Sequence, residues 1–146
     1  MASDQQTDGI TWTRETLKAA LDASPAIAFL QLEVEAFDAS AAAISLIMPM
    51  RAELERAPGS GMFHGGPIAS FIDTAGDYAV ALAVGGGVPT MNLRVDYLRP
   101  CLGERLIARA KARRVGRSVA VVDIDVFDTE DRLCAVGRGA YSPKVG

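Results

Sequence analysis

The residues with the clearest chemical potential surround the only histidine of the chain, His64. Gly65, Gly66 and Pro67 follow it, and a proline after two glycines is typical of the first turn of a helix. The first N–H groups of a helix have no carbonyl partner within it, and the helix dipole makes that end attractive to negative charge. Because glycine has no side chain, a ligand can come close to this turn.

Short polar side chains form a stripe along the helix that begins here, which we expect to end near Val84. They are Ser70, Asp73, Thr74 and Asp77, at spacings of three and four residues that place them on one face. The remaining positions are mostly small and apolar, which predicts a helix buried on most sides. An ordinary solvent face would carry long charged side chains, so the stripe favours the lining of a polar cavity.

Six of the 15 basic residues lie between Arg105 and Arg117, in a predicted hairpin where two strands flank a turn. If Gly116–Ser118 is a three-residue loop, Val115 faces Val119. The ladder then sets Lys111 opposite Asp123 and Arg109 opposite Asp125, and such cross-strand pairs need no ligand.

The same register leaves a basic cluster at the tip of this hairpin. Arg113 faces Val121, and together with Arg114 and Arg117 it has no acidic partner. A polyphosphate ligand would explain such a cluster in an acidic protein, and so would surface solubility.

These residues must be positioned by few helices and many strands. Thr13 is a plausible N-cap for a short helix that ends at Ser24-Pro25, after a loose polar tail over residues 1–12. Alternating patterns predict strands from Ala28 to Phe37, with Ala36 on the inward face, and from Ala42 to Met48.

Four further strand-like stretches follow the long helix, the first from about Pro89 to Arg99 and the last from Arg132 to Tyr141. The pattern predicts an α+β fold in which a curved antiparallel sheet wraps a long central helix. We expect a tail and short helix over residues 1–25 and a single domain over residues 26–146.

The composition narrows the functional classes. The chain has 146 residues, is 49% hydrophobic and carries a net charge of −3, which gives no general attraction to nucleic acids or anionic lipids. Cys101 and Cys134 are too few for a disulfide framework or, with one histidine, for a zinc cluster, and free thiols fit a reducing cytoplasm. Asp73 and Asp77 argue against a membrane span over residues 67–88, because each costs roughly 2.5 to 3.5 kcal/mol at a bilayer centre.

The combination of HGG, an acid nine residues after the histidine and the later TMNLRVDYLRP strand resembles the hot-dog fold acyl-CoA thioesterases, in particular the phenylacetate-degradation (PaaI-like) branch. The resemblance covers about residues 26 to 142 and includes the RVGRS turn and the final GRGAY. It implies a dimer or a dimer of dimers with active sites at the subunit interface, acyl-CoA as substrate and no separate cofactor.

The resemblance also implies roles for single residues. The Gly65 N–H would polarise the thioester carbonyl, and Asp73 from the facing subunit would activate water or attack as the nucleophile. Thr90 would orient the water or the carboxylate. His64 would hold the turn and the substrate, although a histidine bonded to backbone for structural reasons competes with this role. Gly66 is expected beside it in the substrate site.

The resemblance further predicts contacts between the CoA phosphates and the basic tip formed by Arg113, Arg114, Arg117 and Ser118. One departure from the family pattern concerns Pro58, which stands where relatives commonly have Asn or Gln. A non-catalytic acyl-CoA binding or regulatory protein is therefore the alternative to a hydrolase. A hot-dog dehydratase fits less well, because the acid lies only nine residues after the histidine.

Overall fold

The N-terminal segment contains more regular structure than the sequence predicts. The computed structural model describes residues 5–7 and 10–146, in which β1 (Gln5–Thr7) and β2 (Ile10–Trp12) pair antiparallel. The prediction of a loose tail is wrong for these strands, and residues 1–4 and 8–9 lie outside the described residues. Trp12 accounts for part of the difference, because its large side chain is 4% exposed and packs in the core.

The first helix begins at Thr13 as predicted. Helix α1 (Arg14–Ala23) is capped reciprocally: the Thr16 N–H donates to Thr13 Oγ1 (3.0 Å) and the Thr13 N–H donates to Thr16 Oγ1 (2.9 Å). Leu17 and Leu21 are fully buried in the same core as the sheet.

The strand predicted from residue 28 begins five residues later. Helix α2 (Pro25–Ala28) forms first, because Pro25 suits the first helical position, and the chain then turns through Gln31, whose φ is +53°. Strand β3 (Glu33–Asp38) follows. A register shift between Val34 and Ala36 leaves Ala36 exposed, so its predicted inward orientation is wrong.

Six antiparallel strands form the main sheet, in the order β3-β4-β6-β7-β8-β5. A short 3-10 turn at Ala52–Leu54 follows β4. The remaining strands are β4 (Ala43–Pro49), β5 (Thr90–Tyr97), β6 (Arg105–Val115), β7 (Ala120–Phe127) and β8 (Leu133–Tyr141). Strands β3 and β5 are therefore the two edges of this sheet.

The long helix α3 (Gly65–Val84) packs against β4, β5, β6, β7 and β8. Its apolar side chains, from Ile68 to Leu82, form the centre of the core, and Gly85 ends it in the left-handed conformation (φ +99°). The predicted α+β architecture of a long helix covered by an antiparallel sheet is confirmed. No helix in the described residues is long and apolar enough to cross a membrane.

Tyr141 is the last residue of β8, and its side chain lies beneath α3 in a slot between Gly76 and Gly139. Its hydroxyl donates to the backbone carbonyl of Asp73 (3.1 Å), and its side chain is fully buried. A Cβ at Gly76 would lie 2.1 Å from this hydroxyl, and a Cβ at Gly139 would lie 2.4 Å from it. Both positions exclude a side chain while Tyr141 fills the slot.

Candidate active site

The N-terminus of α3 is closed by the histidine that precedes it. His64 is the N-cap, and its Nδ1 accepts a hydrogen bond from the Gly66 N–H (3.1 Å). This is the backbone-bonded arrangement that the sequence left as one alternative for His64. Because its N–H is engaged in the cap, Gly66 as a substrate contact stays a prediction.

Gly65 presents the donor that the cap does not use. No described residue accepts a hydrogen bond from its N–H. Its carbonyl accepts a hydrogen bond from the Tyr97 hydroxyl (2.7 Å), and the Tyr97 ring would lie 3.4 Å from a Cβ at this position. The end of β5 thus holds the first turn of α3 in place and leaves the Gly65 N–H available.

A cavity of about 390 Å³ adjoins Gly65 between the loop before α3 and the segment after β5. Arg56 and Arg99 supply its charged side chains, and neither has a carboxylate within ion-pair distance among the described residues. Its other lining is mostly apolar: Met62, Phe63, Ile68, Tyr97, Leu98, Pro100 and Cys101. Its size is within the usual range of small-molecule sites.

The acid singled out from the sequence lies farther along α3. Asp73 is half-buried, and its Oδ1 accepts a hydrogen bond from the Thr90 hydroxyl (2.7 Å). No cation in the described part of the chain pairs with it. The structure therefore brings Asp73 and Thr90 together, as the resemblance implied, and gives one carboxylate oxygen a fixed donor.

The polar stripe divides into three environments. Ser70 is exposed, whereas Thr74 is buried and donates to the Ser70 carbonyl of its own helix (2.7 Å). Asp77 is half-buried and accepts a hydrogen bond from the Val88 N–H (2.9 Å). Burial raises the pKa of Asp77 to about 6; the Val88 N–H acts against this, and the nearby charge of Asp73 adds to it.

The two groups of candidate residues lie at different positions on α3. Gly65 and Asp73 are eight residues apart, which is about 12 Å along the helix axis. Tyr97, at the end of β5, contacts the Gly65 turn, whereas Thr90, at its beginning, contacts Asp73. Within one chain, the Gly65 N–H and the Asp73 carboxylate are therefore too far apart to contact the same functional group of a small ligand.

The body of the β6–β7 hairpin has the predicted register. Arg109 lies opposite Asp125, and Lys111 lies opposite Asp123. The predicted charge pairs nevertheless do not form as ion pairs. Arg109 stacks over the Phe127 ring instead, with 4.8 Å between the guanidinium carbon and the ring centroid. Long side chains have several partners within reach, so backbone register alone does not fix their contacts.

The tip of this hairpin differs from the prediction. A bulge between Ala112 and Arg114 shifts the register by one, so that Arg114, not Arg113, faces Val121. Val115 pairs with Ala120 rather than with residue 119, because the loop is one residue longer than expected.

The bulge also gives Arg113 an acidic partner. Its Nε lies 3.7 Å from Asp123 Oδ2, and Arg138 binds the same carboxylate with two hydrogen bonds (2.6 and 2.9 Å). The prediction that Arg113 is unpaired is therefore wrong. The hydrogen bonds from Arg138 hold the pKa of Asp123 below its usual value.

The tip lies at the Thr90 end of the sheet. Val115 pairs with Ala120, Ala120 pairs with Tyr141, and Tyr141 pairs with Thr90. Arg114, Arg117 and Ser118 are therefore closer in the sheet to Thr90 than to the Tyr97 end, where Gly65 lies. The structure does not bring the basic tip to the Gly65 turn of the same chain.

Sequence reasoning missed two tyrosines. Tyr97 binds the Gly65 carbonyl and Tyr141 binds the Asp73 carbonyl, each across more than 30 residues of sequence. Hydrophobic alternation marked both as strand residues, and no local signal showed which helix turn their hydroxyls reach. Among the described residues no group of three or more His, Cys, Asp or Glu side chains could hold a metal ion.

One known protein family matches slightly more than half of the chain. The family model described as "Thioesterase superfamily" matches residues 60–135, which include His64, Asp73, Thr90 and the β6–β7 hairpin.

Three known proteins are similar to this chain. A putative esterase of Halobacterium salinarum is 42% identical over 126 residues, covering 79% of this chain and 82% of that protein. The medium/long-chain acyl-CoA thioesterase YigI of Escherichia coli K12 is 33% identical over 98 residues, which are 55% of this chain and 61% of YigI. The crystal structure of a thioesterase from Haemophilus influenzae aligns with a TM-score of 0.79 at 30% identity, over 91% of both chains.

Proposed function

Since the chain belongs to the thioesterase superfamily, we propose that it hydrolyses acyl-CoA thioesters to a free acid and CoA. The hot-dog fold that the sequence resemblance implied is confirmed. The observation that carries the proposal is Asp73, a half-buried carboxylate with a hydroxyl donor on one oxygen and no cationic partner in the described residues. A purely binding protein has no need of such an acid beside a thioester. The acyl-CoA substrate is proposed with support from the resemblance to YigI.

Gly65 supplies the electrophilic side of the reaction. As a thioester carbonyl is attacked, negative charge develops on its oxygen, and a donor fixed beforehand at that place lowers the barrier. The Gly65 N–H is such a donor, because the cap and the Tyr97 bond to the Gly65 carbonyl hold the turn. The cavity next to it gives the acyl or pantetheine chain an apolar surface.

Asp73 supplies the nucleophilic side by one of two routes. As general base it takes a proton from water while the water oxygen bonds to the carbonyl carbon, and the tetrahedral intermediate then expels CoA thiolate, which takes up that proton. As nucleophile it bonds to the carbonyl carbon itself, CoA leaves, and water hydrolyses the resulting anhydride. Thr90 holds one carboxylate oxygen and leaves the other to react.

A second copy of the chain completes the site in this proposal. The 12 Å between Gly65 and Asp73 along α3 is too long for both to act on one carbonyl carbon from the same chain. Strand β5 is an edge of the sheet and carries exposed apolar residues at both ends, with Met91 61% and Tyr97 52% exposed. Antiparallel pairing of two β5 edges about a twofold axis brings Thr90 of one chain toward the Tyr97 end of the other.

The twofold arrangement also gives the basic tip a role. Because the tip lies at the Thr90 end, it approaches the Gly65 cavity of the opposite subunit together with Asp73. Arg114, Arg117 and Ser118, with Arg113 beside them, then contact the CoA phosphates, for which arginine is well suited. The cytoplasmic location inferred from the free thiols stays a prediction.

The test of the proposal is Asp73→Asn, which preserves shape and removes the negative charge. Released thiol is measured with a panel of acyl-CoA thioesters from acetyl to palmitoyl, including phenylacetyl. We expect kcat to fall by roughly 10² to 10⁴-fold, while acyl-CoA binding persists.

Asp38→Asn is the matched control, because Asp38 is an exposed carboxylate at the end of β3, the opposite edge strand of the sheet from β5. A near-normal kcat in Asp73→Asn, or an inactive wild-type protein that binds acyl-CoA, would favour the non-catalytic binding alternative.

A further inference from the structure

The segment between α3 and β5 is held by a few contacts, which include a hydrogen bond from the Gly146 N–H to the Gly87 carbonyl (3.2 Å) and the pairing of Thr90 with Tyr141. It begins with three glycines at positions 85–87, which bring no side chains, and continues through Val88 and Pro89 to Thr90. The Val88 side chain is 6% exposed and packs in the core. The Ser142 N–H donates to the Pro89 carbonyl (2.9 Å). The Val88 N–H donates to Asp77 Oδ1.

Two carboxylates on α3 hold this segment at two successive points. Asp77 accepts from the Val88 N–H (2.9 Å), and Asp73 accepts from the Thr90 hydroxyl (2.7 Å). Four residues of helix rise about 6 Å, and two residues of extended chain span about 6.6 Å. The segment therefore runs back along α3 with matching spacing, so that both contacts can form at once.

In the part of the chain that the structure describes, the Asp77 carboxylate has no hydrogen-bond donor other than the Val88 N–H. The ionisable groups that interact with it are Asp73, Tyr78 and Tyr141, none of which is a cation. No ion pair involving Asp77 occurs in the described residues. An acid kept half-buried without a counter-ion is costly, and such groups concentrate at functional sites.

We propose that Asp77 is a positioning residue, which fixes Val88 and through the segment 88–90 holds the Thr90 hydroxyl on Asp73. This inference rests on the proposed function, since it assigns Asp77 an effect on the acid that would react. Asp77 does not touch the thioester. It acts as a hydrogen-bond acceptor for the backbone, so an amide oxygen at the same place would serve as well.

The first experiment is a double-mutant cycle on kcat. Asp77→Ala is expected to lower kcat by about ten- to a hundredfold with little change in KM, because Asp73 loses a well-placed donor. In the Thr90→Ala background, Asp77→Ala should add less than about a twofold loss, since the contact through which it acts is already absent. Asp77→Asn should retain kcat within about threefold. Asp38→Ala removes a comparable acceptor from another turn and should have no effect in either background.

The second experiment does not depend on activity. Amide hydrogen exchange at Val88 should be slow in the wild type and in Asp77→Asn and faster in Asp77→Ala. The ¹³C chemical shift of the Asp73 carboxyl group should change in Thr90→Ala, and Asp77→Ala should reproduce that change. If Asp77→Ala only weakened the fold, the ¹³C shift of the Asp73 carboxyl group would not match the one seen in Thr90→Ala.

The outcomes separate this inference from the proposed function. If the kcat losses of Asp77→Ala and Thr90→Ala multiply, or if Asp77→Asn is as damaged as Asp77→Ala while Val88 stays protected, Asp77 does not act through the segment and the inference fails. If the wild type hydrolyses no thioester, the proposed function fails and the inference is decided by the Asp73 shift. An unchanged Asp73 shift in Asp77→Ala would overturn it.

Discussion

Replacing Asp77 by asparagine should stabilise the protein, and only above pH 4. In the folded chain burial raises the pKa of Asp77 from its ordinary 3.8 to about 6. Below pH 3.8 the carboxyl is protonated in both states and contributes nothing. Between 3.8 and 6 the unfolded chain releases the proton while the folded chain retains it, so the wild type loses stability as the pH rises. Above 6 the loss is constant.

The magnitude follows from the size of the pKa change. A change of about two units corresponds to about 3 kcal/mol at 1.36 kcal/mol per unit. Asp77 is only half-buried and water screens part of its charge, so we expect a gain on the order of 1 to 3 kcal/mol for Asp77→Asn at neutral pH. The Asn oxygen can still accept the Val88 hydrogen bond, so this gain is not cancelled by a lost contact.

The assay is urea unfolding at pH 4.5, 6 and 8, followed by fluorescence of the buried Trp12 at one fixed protein concentration. The difference between Asp77→Asn and wild type should be smallest at pH 4.5 and reach a plateau above pH 7. Asp38→Asn is a control of opposite sign. Hydrogen bonds from Ser40 and Ala41 lower the pKa of Asp38 from its ordinary 3.8, so the stability that its charge contributes is present above that pH and is lost only below it. Asp38→Asn should therefore destabilise the protein to a similar extent at all three pH values. A difference for Asp77→Asn that does not vary with pH would refute the reasoning.

The remaining predictions concern the assembly and the basic tip. Sedimentation should give a dimer or a dimer of dimers, and Met91→Glu on the β5 edge should shift it toward monomer with loss of turnover, whereas Phe29→Glu, similarly exposed outside β5, should not. A fully active Met91→Glu monomer would contradict a shared site. The triple variant Arg113→Ala, Arg114→Ala, Arg117→Ala should raise KM for acyl-CoA and reduce its salt dependence, more than Arg109→Ala with Lys111→Ala does. Equal effects of the two sets would indicate diffuse electrostatics.

Patterns that depend on neighbours in sequence predict where the two longer helices begin and end. The bounds of α3 follow from a cap, a proline and a terminal glycine, and Thr13 marks α1 by the same local logic. The strand start at Glu33 was missed because Leu30 and Leu32 are both buried, and burial every second residue looks the same in a strand and in a turn that enters one.

Contacts across the fold could not be read in this way. The bulge beside Arg113 depends on how β6 pairs with β7, and no residue type in the loop predicts it. Asp73 could be chosen from its place in the stripe, and Thr90 from the resemblance. The bond from Tyr97 to the Gly65 carbonyl, by contrast, joins two elements whose approach is set by the packing of the whole sheet.

The slot that holds Tyr141 links Gly76 on α3 to Gly139 and Tyr141 on β8, which lie more than 60 residues later in the sequence. Glycine within a helix lowers stability by about 0.5 to 1 kcal/mol relative to alanine. We therefore expect glycine at position 76 only in chains where the tyrosine side chain fills the space that a Cβ would need. In an alignment of relatives, positions 76, 139 and 141 should therefore change as a set. Sequences with a small residue at 141 should accept alanine or larger at 76 and 139, and sequences with tyrosine should keep both glycines.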